Sequence, residues 1–284
     1  MWSSAACAAL AVALTLSGCD LGDRAPRPDG TGTAPTSGAA EPPEPEDQQE
    51  AADGRPEEHT STVELDGAVL HIAAPKAAAV RAVENEPGLR TVTLNLAPGE
   101  SVSLTLTSPG ELDVDTDGSI TVLDGGDTPV AAIGPPAPPP GTEDDAPRIE
   151  VTDTDATSAQ VEVEDRIRPA RGSGSGEEPA WTGPLEVTFA VGTQAIESAT
   201  WGENEGGRSL AVDPADWARH AGQAGLDLIS AQLVAAEPEA ASDTMDHQLV
   251  CHAVGAPDKS TWNLEPWRPD VGLILTATAH CNPV

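Results

Sequence analysis

The sequence contains no tyrosine, one phenylalanine (Phe189) and six tryptophans among 284 residues. Any core must therefore be built from Val, Leu, Ile and Ala, with Trp at a few points. Basic residues are also scarce: 14 Lys and Arg stand against 47 Asp and Glu, for a formal charge of −33. The chain lacks the clustered cations that phosphate contacts require, which argues against nucleic acid as a partner. The same deficit disfavours electrostatic adhesion to an anionic lipid surface. A strongly acidic balance suits solubility outside the cell.

Cysteine is rare as well, with four in the chain, and the first two lie at the N-terminus. The opening "MWSSAACAALAVALTLSGCD" holds an apolar run over residues 5–16, too short to span a bilayer but the right length for the apolar part of a signal peptide. It carries no Lys or Arg before that run. It ends in Leu16, Ser17, Gly18 and Cys19, which resembles the lipobox of bacterial lipoproteins. The resemblance implies cleavage after residue 18, acylation of Cys19 and an N-terminal lipid anchor in the membrane. Two acyl chains suffice for stable anchoring. Cys7 then leaves with the signal, and Cys251 and Cys281 remain to pair in an oxidising compartment.

Residues 19–59 are rich in Pro, Gly, Glu and Asp and have no apolar periodicity, so they read as a disordered tether. From residue 60 the pattern switches to period two, with Gly, Pro and Asp breaks about every ten residues. Segments such as "RTVTLNLAPG" and "SVSLTLTSPG" predict antiparallel strands of a β-rich module over 60–168. Residues 169–184, rich in Gly, Ser and Pro, read as a linker. The remainder, 185–284, reads as a small α+β domain. In it "PLEVTFAV" is a strand and "ESATWGENEGGRSLAVDP" a pair of strands. A helix is expected from Asp213 as N-cap and Pro214, and a second carries Leu226, Ile229, Leu233 and Val234 on one face. "HQLVCHAVG" and "VGLILTATAHC" read as strands. The expected fold is therefore a mainly-β sandwich-like module followed by a small α+β domain with one disulfide, after a signal and a disordered tether.

Three constellations invite chemistry. Asp113, Asp115, Asp117 and Asp124, with Gly118, follow the spacing of a calcium loop, but their flanks are strand-like and an Asp-Gly turn explains the same letters. His247, Cys251, His252, His280 and Cys281 suggest zinc, yet neighbours on a strand point apart, which leaves a disulfide as the simpler reading and no metal or other cofactor. His252, Lys259, Trp262, Glu265, Trp267 and Arg268 form the best polar and aromatic set. Its plain reading is an ion pair that fixes a turn, Glu265 with Arg268 or with Lys259. If both tryptophans were exposed they would suit stacking on sugar rings. No G-x-S-x-G elbow is present.

The run from Met245 through Gln248, Cys251, His252, Lys259, Trp262, Asn263, Leu264, Glu265, Pro266, Arg268 and Pro269 to Cys281, Asn282 and Pro283 resembles a C-terminal domain-of-unknown-function family of secreted actinobacterial proteins and lipoproteins. The resemblance covers roughly residues 195–284. It implies an extracytoplasmic location and supplies no catalytic residue. The expectation is a lipid-anchored envelope protein on the outer face of the cell membrane, whose C-terminal domain binds an envelope protein or a cell-wall glycan without catalysis. The alternative is an envelope hydrolase or secreted effector that uses the His252, Lys259, Glu265 and Arg268 set.

Overall fold

Strands form where apolar and polar residues alternate, because successive side chains of an extended chain point to opposite faces. The computed structural model describes residues 58–75, 78–165, 181 and 183–284. The signal segment, Cys19, nearly all of the tether and most of the 169–184 segment lie outside the described residues. The alternating segments give β1 (Glu58–Leu65), β2 (Ala68–Pro75), β3 (Val80–Glu86), β4 (Leu89–Leu96), β5 (Ser101–Leu106), β6 (Gly110–Val114), β7 (Ile120–Asp124), β8 (Pro129–Ile133), β9 (Ile149–Asp155) and β10 (Ser158–Val163). Then follow β11 (Leu185–Gly192), β12 (Ile196–Asn204), β13 (Gly207–Pro214), α1 (Asp216–Arg219), α2 (Gly222–Ala236), α3 (Asp243–Gly255), β14 (Trp262–Leu264) and α4 (Leu273–Thr278).

Two antiparallel sheets, in the orders β1-β2-β5-β10-β9 and β3-β4-β11-β8-β7-β6, share one core. Leu70, Ile72, Leu104 and Val161 from the first meet Leu94, Leu96, Ile133 and Leu185 from the second, all essentially inaccessible to solvent. Burying each such side chain stabilises the fold by about 1.5–3 kcal/mol. The arrangement is a sandwich. A third sheet, β12-β13-β14, combines with the helices around a second core that includes Leu210, Val212, Leu228, Leu233, Leu249 and Trp262.

One boundary falls elsewhere than expected. β11, read as the opening strand of the C-terminal domain, occupies the middle of the six-stranded sheet. It pairs with β4 from Leu185 opposite Leu96 to Gly192 opposite Leu89, and with β8 through Val191 opposite Ile133. Its inward residues Leu185, Val187, Phe189 and Val191 are buried in the sandwich core. The change from sandwich to C-terminal region therefore comes at the 193–195 crossover. There the Gln232 side chain accepts from the Ala195 N–H at 2.9 Å and donates to the Thr193 carbonyl at 2.5 Å. Trp217 lies flat on Gly192, where a Cβ would come within 2.4 Å of the ring, and its Nε1 donates to the Gln194 carbonyl at 3.0 Å.

Three local readings are also corrected. Asp213 and Pro214 end β13 and do not start a helix; Asp213 instead pairs with Arg219 at 2.8 Å. "HQLVCHAVG" belongs to helix α3, because Met245, Gln248, Leu249 and His252 fall on one buried face at helical spacing. Most of "VGLILTATAHC" belongs to the short helix α4. The Ser242 hydroxyl caps α3 by accepting from the Met245 N–H at 3.4 Å.

Helix α2 has no cap from its own sequence, and its first N–H groups are met by the distant β6–β7 hairpin. Asp117 accepts from the Gln223 N–H at 2.9 Å, and the Ser119 hydroxyl accepts from the Ala224 N–H at 3.0 Å. Ser119 in turn donates to Asp117 at 2.6 Å.

Candidate functional site

The C-terminal constellation divides into two places. The first is a buried polar knot. Gln248 on α3 uses its side-chain amide as a substitute strand neighbour, accepting from the Glu265 N–H at 2.9 Å and donating to the Glu265 carbonyl at 3.1 Å. That fixes the Glu265 carboxylate inside, with 0 % of the residue exposed. One carboxylate oxygen accepts from the Asn204 amide at 2.9 Å and the other from Arg268 Nε. Arg268, 3 % exposed, also binds Glu205 at 2.5 Å and the Pro283 carbonyl at 3.1 Å. Its guanidinium thus ties together the β12–β13 turn, the Trp-Asn-Leu-Glu-Pro segment and the C-terminal tail. Each nitrogen of Arg268 and each carboxylate oxygen of Glu265 has a partner, as a buried charge requires.

Trp262 is buried, donates to the Ala256 carbonyl at 3.2 Å and stacks beside His252 with ring centres 6.5 Å apart. Arg219 lies 5.2 Å from the Trp262 ring and donates to the carbonyls of Pro257, Lys259 and Ser260. Trp267 is 46 % exposed, with its ring over the Gly207 backbone and Arg268 at 4.6 Å from its centroid. With Trp262 inside, the two tryptophans offer no paired platform for a sugar.

The second place is a groove of about 620 Å³ between α3 and α4, lined in part by His252, Val254, Lys259, Leu273, Ile274, Ala277 and the Cys251–Cys281 disulfide. The expected disulfide is present and joins α3 to the residue that follows the turn after α4. The His252 Nε2 lies 3.2 Å from the Asn263 carbonyl, so this nitrogen carries the proton and Nδ1 is left as an acceptor. Nδ1 is buried and has no hydrogen-bond partner. Burial, assisted by the nearby Lys259 charge, holds the imidazole below its ordinary titration range, so the ring is neutral at pH 7. His247 sits apart, 2.9 Å from Asp270.

The four carboxylates with calcium-loop spacing do not all meet: Asp115 and Asp117 both lie at the Ser119 hydroxyl, but Asp124 stands apart. Asp124 lies at the far end of β7, opposite Gly110, and accepts from the N–H groups of Gly126 and Thr128 in its own turn. Asp117 caps α2. Among the described residues no group of three or more His, Cys, Asp or Glu side chains is placed to hold a metal ion. Asp115 is the member shifted upward: burial, then the charges of Asp227, Asp113 and Asp117, push its pKa from 3.8 up to about 6. A carboxyl whose folded value exceeds its unfolded one binds protons more readily in the folded state, so it destabilises the protein above pH 6 and the penalty fades as pH falls through 6 towards 3.8. Asp115→Asn is therefore expected to raise the melting temperature at pH 7, with the gain shrinking to nothing by about pH 4; thermal scans across that range check it.

Gln248, Arg219, Asn204 and Glu205 carry the knot and the 257–260 turn but were not singled out as partners from sequence. Gln248 stood in the motif without a role, and Arg219 binds backbone carbonyls forty residues away. The groove residues Val254, Leu273, Ile274 and Ala277 gave no signal, because the segment around α4 read as a strand.

The geometry can be set beside known proteins. Residues 196–284 match the family described as "Protein of unknown function (DUF2599)". Two relatives are the uncharacterized protein Rv0477 of Mycobacterium tuberculosis (strain ATCC 25618 / H37Rv) and the uncharacterized protein Mb0487 of Mycobacterium bovis (strain ATCC BAA-935 / AF2122/97). Each is 38 % identical over 95 residues, covering 31 % of this chain and 62 % of its own length. The chain thus spans less than two thirds of the curated relatives it matches. No solved structure matches it significantly. The knot, the groove and the disulfide all lie within the matched segment, except that none involves the sandwich strands.

Proposed function

We propose that the protein is a lipid-anchored envelope protein, held on the outer face of the cell membrane through Cys19, whose C-terminal region is a non-enzymatic binding module. The observation that carries the binding reading is the groove between α3 and α4. Val254 and Ile274 flank it with 80 % and 83 % of their surface exposed, and Leu273 and Leu275 beside them are also open. Contiguous apolar side chains left in water at a concave surface mark a place where something binds. The hydrolase alternative has less support. Of its four residues, Glu265 and Arg268 are consumed in a structural knot and only His252 and Lys259 line the groove.

A photoreactive residue tests the reading. With p-benzoylphenylalanine at Ile274 in the full chain, irradiation of intact cells is expected to give a defined adduct, whereas the same residue at the exposed Glu197 on β12 gives none. Absence of an adduct at 274 would remove the binding reading. In the same cells Cys19→Ser is expected to release the protein from the membrane pellet, and retention would remove the anchor.

A further inference from the structure

The groove has an unusual lining for this chain. The sequence has 47 acidic residues, and none of those among the described residues lines it. Lys259, one of two lysines in the whole protein, does. Its acidic neighbour Asp258 is turned away, 3.3 Å from His220. The walls contributed by Val254, Leu273, Ile274 and Ala277 are aliphatic. His252 also lines the groove, and its buried Nδ1 has a lone pair without a donor.

Resting on the reading of this groove as the binding site, we propose that it holds one molecule of a single-chain lipid, with the acyl chain between Val254 and Ile274 and a negatively charged head at Lys259. The volume of about 620 Å³ is that of a small-ligand site. The charge pattern selects the occupant. A second copy of this chain would bring the same charge of −33 to the contact, whereas an anionic head meets here a lining that offers a cation and, among the described residues, no carboxylate. The overall charge still opposes adhesion to an anionic membrane as a surface, so the ligand is a single molecule in the groove and not the bilayer.

The probe is lauroyl lysophosphatidylglycerol, titrated below its micelle concentration into the full chain carrying Cys19→Ser and followed by calorimetry. Dodecylphosphocholine, whose head carries no net charge, serves as comparison. One saturable site is expected, with a preference for the phosphoglycerol lipid. Ile274→Glu, on a fully open side chain that leaves the fold intact, is expected to weaken binding by about tenfold or more, since a charge would enter the chain's path. Lys259→Gln is expected to weaken the phosphoglycerol lipid several-fold and dodecylphosphocholine less. No saturable binding of the phosphoglycerol lipid, or binding unchanged by Ile274→Glu, overturns the proposal. A protein-sized photo-adduct at position 274 without lipid binding would overturn the lipid while leaving the binding-module reading standing. Loss of both would overturn the two together.

Discussion

Arg268→Ala should lower the stability of the folded region by about 3–5 kcal/mol, a fall in melting temperature of roughly 10 °C for a unit of this size. The reason is the carboxylate it leaves behind. Glu265 has no exposure to solvent, and of the groups that satisfy its carboxylate only the Asn204 amide would remain. The Pro283 carbonyl and Glu205 lose their partner at the same time. Removing both charges should cost less than removing one. The double variant Glu265→Gln, Arg268→Met is therefore expected to be more stable than Arg268→Met alone, because the pair is held by mutual need and not by a large net gain. Urea titrations of the two singles and the double give the coupling directly. Additive losses would mean that the two residues act independently.

Opening the Cys251–Cys281 bond ranks second. The bridge spans a sequence separation of 30, and a loop of that length stabilises by about 3–4 kcal/mol, chiefly by limiting the unfolded chain. Cys251→Ser with Cys281→Ser, or reduction of the native chain, should lower the urea midpoint accordingly. The loss has a predictable location. Helix α4 has six residues, far below the length at which a helix persists alone, and three of them are exposed apolar residues that gain little from their present position. Amide exchange is therefore expected to accelerate at residues 273–281 well before it does in β4 or β11. Uniform acceleration throughout the chain would show that the bridge does not specifically hold the groove wall.

The two results bear on what could be read from sequence. The strands from 60 to 163 were legible because burial on one face of a sheet imposes period two. The disulfide was legible because only two cysteines remained once the N-terminal pair had been accounted for. Glu265 and Arg268 stand three residues apart in a chain poor in bases, which singled out their pairing among the plain readings. Helix α3 was not legible: the run Leu249, Val250, Cys251 resembles a buried strand, and the competing spacing of Met245, Gln248, Leu249 and His252 includes two polar residues that only tertiary partners justify. The role of Gln248 depends on a strand backbone 17 positions away. The cap of α2 comes from a hairpin more than one hundred positions upstream. No local rule encodes either contact.

The crossover at 193–195 is held through main chain. The side chains that grip it, Trp217 and Gln232, both lie downstream, and what they grip is main chain: the carbonyls of Thr193 and Gln194, the N–H of Ala195, and the bare backbone of Gly192. Such a seam makes almost no demand on the identity of the strand before it, apart from the glycine. Similarity to the family begins at residue 196, one position beyond the seam. A substitution in β11 other than at Gly192 should therefore leave this fastening intact, whereas Asp117 and Ser119 are side chains by which the β6–β7 hairpin holds the start of α2.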